Sequence, residues 1–256
     1  MRAIAAVIPA FNEEATIRDV VERTLRHVAR VIVVDDGSRD GTSDALDGLP
    51  VTVLRNEHNA GKARSLIRGM DEAFRRGADA VVTLDGDGQH PPEEIPRLLA
   101  AQRAEPRAIA IGSRLHEAQH IPLDRYLANC FANFWIAWAA GQRIEDSQSG
   151  FRVYPVAAWH EVLPRCRCLL GFVFESEVLI EAGRAEFRLV GIPVPAIYPA
   201  RARRSHFHPV LDIARIVRMV SWKLISRGLY LPGLLRCLRA ERLDRSTARR
   251  EADPTG

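Results

Sequence analysis

Short runs of β-branched and small apolar residues recur through the first half of the chain, at Ile4–Ile8, Val31–Val34, Val51–Leu54, Ala80–Leu84 and Ala108–Ile111. Runs of this length, apolar at both alternations, are the pattern of strands buried on both faces. Between them lie amphipathic stretches opened by helix-start signals: Asn12 before Glu13 and Glu14, Asn59 before Ala60–Arg76, and Pro91-Pro92-Glu93-Glu94. Strand and helix in alternation predict an α/β fold, a mostly parallel sheet covered by helices, with ligands gathering at the carboxyl ends of the strands.

The second half patterns differently. Tyr126–Ala140 is strongly apolar, with Phe131, Phe134, Trp135 and Trp138, yet too short to span a bilayer; it predicts a core or interfacial helix. Residues 188–198 return to strand-like alternation, and Pro193 and Pro195 mark a sheet edge. From Pro209 to Arg227, apolar Val210, Ile213, Val217, Val220 and Leu224 step by three and four, predicting a C-terminal amphipathic helix. After Ala240 the residues are charged and small, a composition that predicts disorder. The expected division is an α/β domain over 1–206, a helical segment over 207–240 and a tail over 241–256.

With 256 residues, 47% of them hydrophobic and 27% charged, the chain can bury one sizeable core, which excludes disordered and fibrous classes. Only Lys62 and Lys223 are lysines among 36 basic residues, an arginine bias read first as composition. The net charge of +4 says little, but residues 201–256 hold 13 Lys/Arg against 5 Asp/Glu. A basic C-terminal end points to an anionic partner, a membrane surface or a polyphosphate, rather than to nucleic acid. Cys130, Cys166, Cys168 and Cys237 form no CxxC pair or zinc-ligand spacing, and the start of the chain shows no signal-peptide pattern. A cytoplasmic protein with reduced cysteines is expected.

Three polar clusters carry candidate chemistry. Asp85-Gly86-Asp87-Gly88-Gln89-His90 follows a buried strand directly. Carboxylates at i and i+2 with a nearby carboxamide form an oxygen-rich site for Mg²⁺ or Mn²⁺ bridging to a diphosphate; a plain polar turn has the same composition. Asp35-Asp36-Gly37-Ser38 ends the second strand, where an acid accepts hydrogen bonds from a ribose or base, or simply shapes a turn. Glu145-Asp146-Ser147-Gln148-Ser149-Gly150-Phe151-Arg152 joins an acid, small donors and an arginine able to hold a phosphate or position a nucleophile; a solvated loop would look alike. Glu175 and Glu177 read as ordinary acidic residues at a helix start. Neither GxGxxG nor GxxxxGK[ST] is present, which argues against nicotinamide dehydrogenases and P-loop enzymes.

Together, Ile8-Pro9-Ala10-Phe11-Asn12-Glu13, Val33–Ser38 with Asp40-Gly41-Thr42, Asn59-Ala60-Gly61-Lys62-Ala63, Asp85–His90, Gly112-Ser113-Arg114 and Asp146 with Ser149-Gly150-Phe151-Arg152 stand in one order over roughly residues 4–206. In this the chain resembles glycosyltransferase family 2, and within it the polyprenyl-phosphate sugar synthases, such as the dolichyl-phosphate mannose synthases. The resemblance implies a GT-A fold, a GDP- or UDP-sugar donor and Mg²⁺ or Mn²⁺. It implies that Pro9, Glu13 and Asp36 hold the nucleotide with Asp85 in the same acidic motif, and that Asp87 and Gln89 meet the metal. It further implies that Arg114 and Arg125 face phosphates, with Arg203 or Arg204 beside Ser205 as a further basic contact. The two C-terminal membrane spans of many relatives are missing, leaving the amphipathic helix and basic tail to hold the protein peripherally at the inner membrane face.

An inverting displacement onto a lipid phosphate needs no strong base; transfer to a glycan hydroxyl would, and Asp146 is then the candidate. A sugar-phosphate nucleotidyltransferase should carry a glycine-rich cradle where Pro9-Ala10-Phe11-Asn12 stands, and a non-catalytic nucleotide-sugar sensor would bind without turnover. The amphipathic helix also fits packing on the domain or on a second copy of the chain.

Overall fold

The computed structural model describes residues 3–115, 123–169, 171–197 and 209–239, without the side chains of 123–125, 172 and 209–212. The chain runs β1 (Ile4–Ala10), α1 (Ile17–Leu25), β2 (Arg30–Asp35), β3 (Thr52–Arg55), α2 (Lys62–Arg75), β4 (Ala80–Thr83), α3 (Ile95–Ala104), β5 (Ala108–Ser113), α4 (Leu123–Ala140), β6 (Arg152–Pro155), α5 (Val156–Val162), α6 (Gly171–Arg184), β7 (Arg188–Pro193) and α7 (Pro209–Ile225). One seven-stranded sheet has the order β3-β2-β1-β4-β6-β5-β7. All pairings are parallel except those of β6, which runs antiparallel between β4 and β5.

Successive strand residues face opposite sides of the sheet, so each apolar run feeds two cores. Val7, Ile32, Val34, Val81, Ile109 and Ile111 pack under α2, α4, α5 and α6, while Ile8, Val31, Val33, Val82 and Val153 pack under α1 and α3. β7 lies at the sheet edge and ends on Pro193, where a missing N–H leaves no ladder bond unmade.

Two expectations need correction. The first helix does not start after Asn12: Asn12 takes a left-handed φ of 56°, and α1 begins at Ile17. The N–H groups of Asn12 and Glu13 instead donate to Ser38 Oγ (2.9 Å) and Thr42 Oγ1 (2.8 Å), tying the loop after β1 to the loop after β2. The apolar stripe of α7 is also divided. Ile216, Val220 and Leu224 are buried in the α2–α6 side of the core, whereas Ile213 and Val217 are exposed. Lys223 shares the buried face because it finds carboxylates there, a possibility that counting apolar residues alone misses. Val210's side chain lies outside the described part, as do residues 241–256. Among the described residues no helix is long and apolar enough to cross a membrane.

Candidate active site

The turn after β4 is built by burial around it. Leu84 is fully buried, and Gly86 sits so close to β1 that a Cβ there would come within 3.2 Å of Ile17 Cδ1 and 3.4 Å of the Pro9 carbonyl oxygen. Its own carbonyl accepts the Thr16 hydroxyl at 2.7 Å, and the same hydroxyl lies 3.4 Å from Glu13 Oε2. His90 is stacked on Phe151 with ring centroids 5.5 Å apart, and its Nδ1 accepts the Asp85 N–H at 3.1 Å. Burial pushes its pKa down to about 4, so the ring stays neutral and keeps that lone pair.

The two carboxylates of the turn differ. Burial opposes ionisation of Asp85, but Lys62 Nζ at 2.7 Å from Oδ1 outweighs it and brings the pKa down to about 2. Asp87 is pushed up to about 6 by burial and by Asp85, and its Oδ1 accepts the N–H of Gln89 in its own turn, at 3.0 Å. Lys62 also reaches Glu175 Oε2 on α6 at 3.2 Å; the two carboxylates more than offset the effect of burial and keep it charged.

Strand β6 brings the third cluster onto this turn. Thr83 pairs with Arg152, and the Thr83 hydroxyl donates to the Gly150 carbonyl at 2.8 Å. A Cβ on Gly150 would lie 3.0 Å from Lys62 Nζ and 3.1 Å from Asp85 Oδ2, so only glycine fits there without displacing them. Fully buried Asp146 accepts the Arg114 backbone N–H (3.2 Å), Arg114 Nε (3.1 Å) and the Gln148 N–H (3.2 Å). From α4, Asn133 donates to the Glu145 carbonyl (2.7 Å) and accepts the Ser147 N–H (2.8 Å), bracing the loop from behind.

Two expected ligand contacts are turned inward. Arg152 is fully buried and donates to the carbonyls of Ser149 (2.7 Å), Ser147 (2.9 Å) and Glu175 (2.9 Å) and to the Tyr154 hydroxyl (3.0 Å). It is a brace for the 147–150 loop rather than a phosphate contact, because it is fully buried with four hydrogen bonds to this chain. Asp36, expected at the nucleotide, is buried and accepts Asn56 Nδ2 (2.7 Å), the Ala60 N–H (2.9 Å) and the Gly61 N–H (2.8 Å). It therefore holds the loop that delivers Lys62 to the site.

Pro9, Glu13, Asp85, Asp87, Gln89 and Arg114 thus stand at or just beyond the carboxyl ends of β1, β4 and β5, and Asp146 joins them through Arg114. The side chain of Arg125, and Arg203 and Arg204 altogether, lie outside the described residues. Three residues of the site had no role assigned from sequence: Lys62, His90 and Glu175. Glu175 is no ordinary helix-start acid, since it lies beyond the first turn of α6 and faces Lys62. The rarity of lysine in the chain was the available signal for Lys62.

An acidic turn on a mostly parallel sheet, with an arginine–aspartate pair near it, is the arrangement of a glycosyltransferase of the GT-A type. The family model of glycosyl transferase family 2 matches residues 5–160, and the chain belongs to that family. It is 29% identical over 218 residues to the UDP-N-acetylglucosamine–dolichyl-phosphate N-acetylglucosaminyltransferase of Methanococcus voltae, covering 77% of this chain and 86% of the relative. It is 30% identical over 200 residues to the polyprenol monophosphomannose synthase of Mycolicibacterium smegmatis, covering 73% and 75% respectively. In fold it is similar to glucosyl-3-phosphoglycerate synthase from Mycobacterium tuberculosis, solved with Mn²⁺, UDP and phosphoglyceric acid, at a TM-score of 0.63 and 22% identity over 88% of this chain and 78% of that one.

Proposed function

We propose that the chain moves a sugar, with inversion, from a nucleoside-diphosphate sugar to a polyprenyl phosphate at an anionic membrane face. The observation that carries this reading is the Asp85-Gly86-Asp87 turn facing the Arg114–Asp146 pair. Two carboxylates and the Gln89 carboxamide are oxygen donors suited to Mg²⁺ or Mn²⁺, and the like charges of Asp85 and Asp87, two residues apart, would favour a cation beside them. Asp87 and Gln89 would hold that metal, which supplies charge neutralisation at the leaving nucleoside diphosphate.

The chain's own residues do the rest. Asp146 orients Arg114 through its backbone and guanidinium, placing a fixed positive charge toward the departing or accepting phosphate. With its oxygens engaged by Arg114 and Gln148, Asp146 is poorly placed to take a proton. That supports an acceptor whose oxygen is already anionic, a lipid phosphate, over a glycan hydroxyl.

The outward faces of the C-terminal helices fit the same location. Val217, Trp222 and Ile225 are exposed on α7 beside exposed Arg215 and Arg218, and Leu231, Leu235 and Leu238 are exposed in the helical run after it. Aliphatic and indole groups interleaved with arginines are the chemistry of an interfacial surface.

The test is transfer from labelled UDP- and GDP-sugars to polyprenyl phosphate in detergent, with the dephosphorylated polyprenol as control. The reading expects a lipid-linked sugar from the phosphate only, abolished by EDTA. Transfer to polyprenol or to a glycan hydroxyl, with the phosphate ignored, overturns it.

A further inference from the structure

Between α7 and the helical run 231–239 the backbone makes a left-handed bend that its residue types do not favour. Gly228, Leu229 and Tyr230 carry φ of 59°, 63° and 44° in succession. Glycine takes such values freely, but a bulky side chain is crowded there, so a leucine costs stability that a glycine would not. Tyr230 is held by its neighbours: Trp138 Nε1 donates to its carbonyl at 3.2 Å, and the Arg227 guanidinium lies 4.6 Å from its ring centroid. Gly141, just after α4, leaves the space its hydroxyl fills, since a Cβ there would come within 2.7 Å of it. Leu229 is 50% exposed, too open for packing within the chain to offset the crowding.

Backbone strain kept where a smaller residue would relieve it points to a use for the side chain. The surroundings name the partner. Trp222, Ile225 and Leu231 are exposed on either side of the turn in the chain, and Arg215, Arg218, Arg227, Arg236 and Arg239 are exposed among them. No Asp or Glu occurs from 213 to 239. A second copy docking by the same face would therefore bring like charges together, whereas anionic lipid headgroups would neutralise them.

We propose that the Gly228–Tyr230 turn is a lipid-inserting tip: Leu229 enters the acyl layer of an anionic membrane, and Tyr230, held at the end of α4, fastens the tip to the sheet domain. Location at a membrane face belongs to the reading above, on which this rests; the turn adds the point of entry.

The experiment is co-sedimentation of the full chain with vesicles of phosphatidylglycerol and phosphatidylcholine, beside urea unfolding of the same proteins. Leu229→Gly should unfold no earlier than wild type, because the backbone is relieved, yet bind the acidic vesicles about tenfold more weakly, because an inserted aliphatic side chain is lost. Leu229→Met, which keeps an apolar side chain, should bind like wild type. Wild-type vesicle affinity in folded Leu229→Gly overturns the proposal, and so does equal weakening in Leu229→Met. A large fall in the unfolding midpoint of Leu229→Gly also overturns it, since Leu229 would then be a packing residue. Wild-type binding that is as tight to vesicles of phosphatidylcholine alone overturns the anionic partner, and self-association without vesicle binding overturns the membrane. Transfer to polyprenyl phosphate in detergent tests the sugar-transfer reading separately: Leu229→Gly should turn over there like wild type, and absence of wild-type transfer counts against that reading alone.

Discussion

Helix α6 turns one acid toward the site and two toward α7, and the two regions use charge differently. Glu175 and Glu177 are two residues apart and so point to different faces of the helix. Glu175 meets Lys62, whose other partner, Asp85, keeps a side chain 27% exposed at the site. Glu177 meets Lys223 of α7 at 2.7 Å and also accepts the N–H groups of Arg167 (2.9 Å) and Cys168 (2.8 Å). Glu181 joins the same lysine at 2.7 Å and Arg184 at 2.9 Å. Burial and Glu177 together push the nearby Cys166 thiol up to about 12, keeping it protonated. The α7 cluster is closed, each charge answered within the protein; the Lys62 cluster is left partly open toward ligand. A sealed ionic cluster docks a helix, and a half-open one binds.

The sharpest way to break that comparison is to remove each region's key charge. Lys223→Met leaves Glu177 and Glu181 buried without their shared cation and should cost about 3–5 kcal/mol of stability, read by urea unfolding. Turnover of the protein that remains folded should stay near wild type; a loss of turnover without a loss of stability would erase the distinction between the regions. Asp87→Asn should do the opposite, cutting turnover about a hundredfold with little change in unfolding midpoint. Normal turnover in this variant, or in EDTA, would remove the metal from the mechanism.

Asp36→Ala probes the loop between the regions. Losing the acceptor for three donors should cost about 1–3 kcal/mol of stability and weaken nucleoside-diphosphate binding, since the freed loop carries Lys62. Calorimetry showing unchanged affinity in the folded variant would restrict Asp36 to shaping the loop. The smallest effect is expected on the outer face of α7. Trp222→Ala should leave folding intact, because the side chain is 65% exposed, and lower flotation with acidic vesicles about fivefold, equivalent to about 1 kcal/mol. Flotation of the wild type should weaken with salt. Wild-type protein that stays soluble beside acidic vesicles at low salt would leave the α7 surface without its proposed partner.

Much of the fold is written locally. The strands β1, β2, β4 and β5 lie where short apolar runs stand, because a strand buried on both faces requires such a run; β3 also lies on its run but is an edge strand with Val53 39% exposed, and the acidic turns fall at strand ends because Asp and Gly favour turns. The order of the motifs likewise carried the family. What sequence pattern did not show is anything that depends on a distant partner. β6 is only four residues long and is a strand because β4 and β5 leave a gap for it. Arg152 and Asp36 carry charges that mark ligand contacts in a linear reading, yet both are buried, since folding supplies carbonyls and amides that satisfy them. The direction of Lys62, Lys223 and the two faces of α7 was likewise decided only when α6 came alongside. The cost of burying a charge is set by the groups it meets, and those groups are brought to it by the tertiary fold.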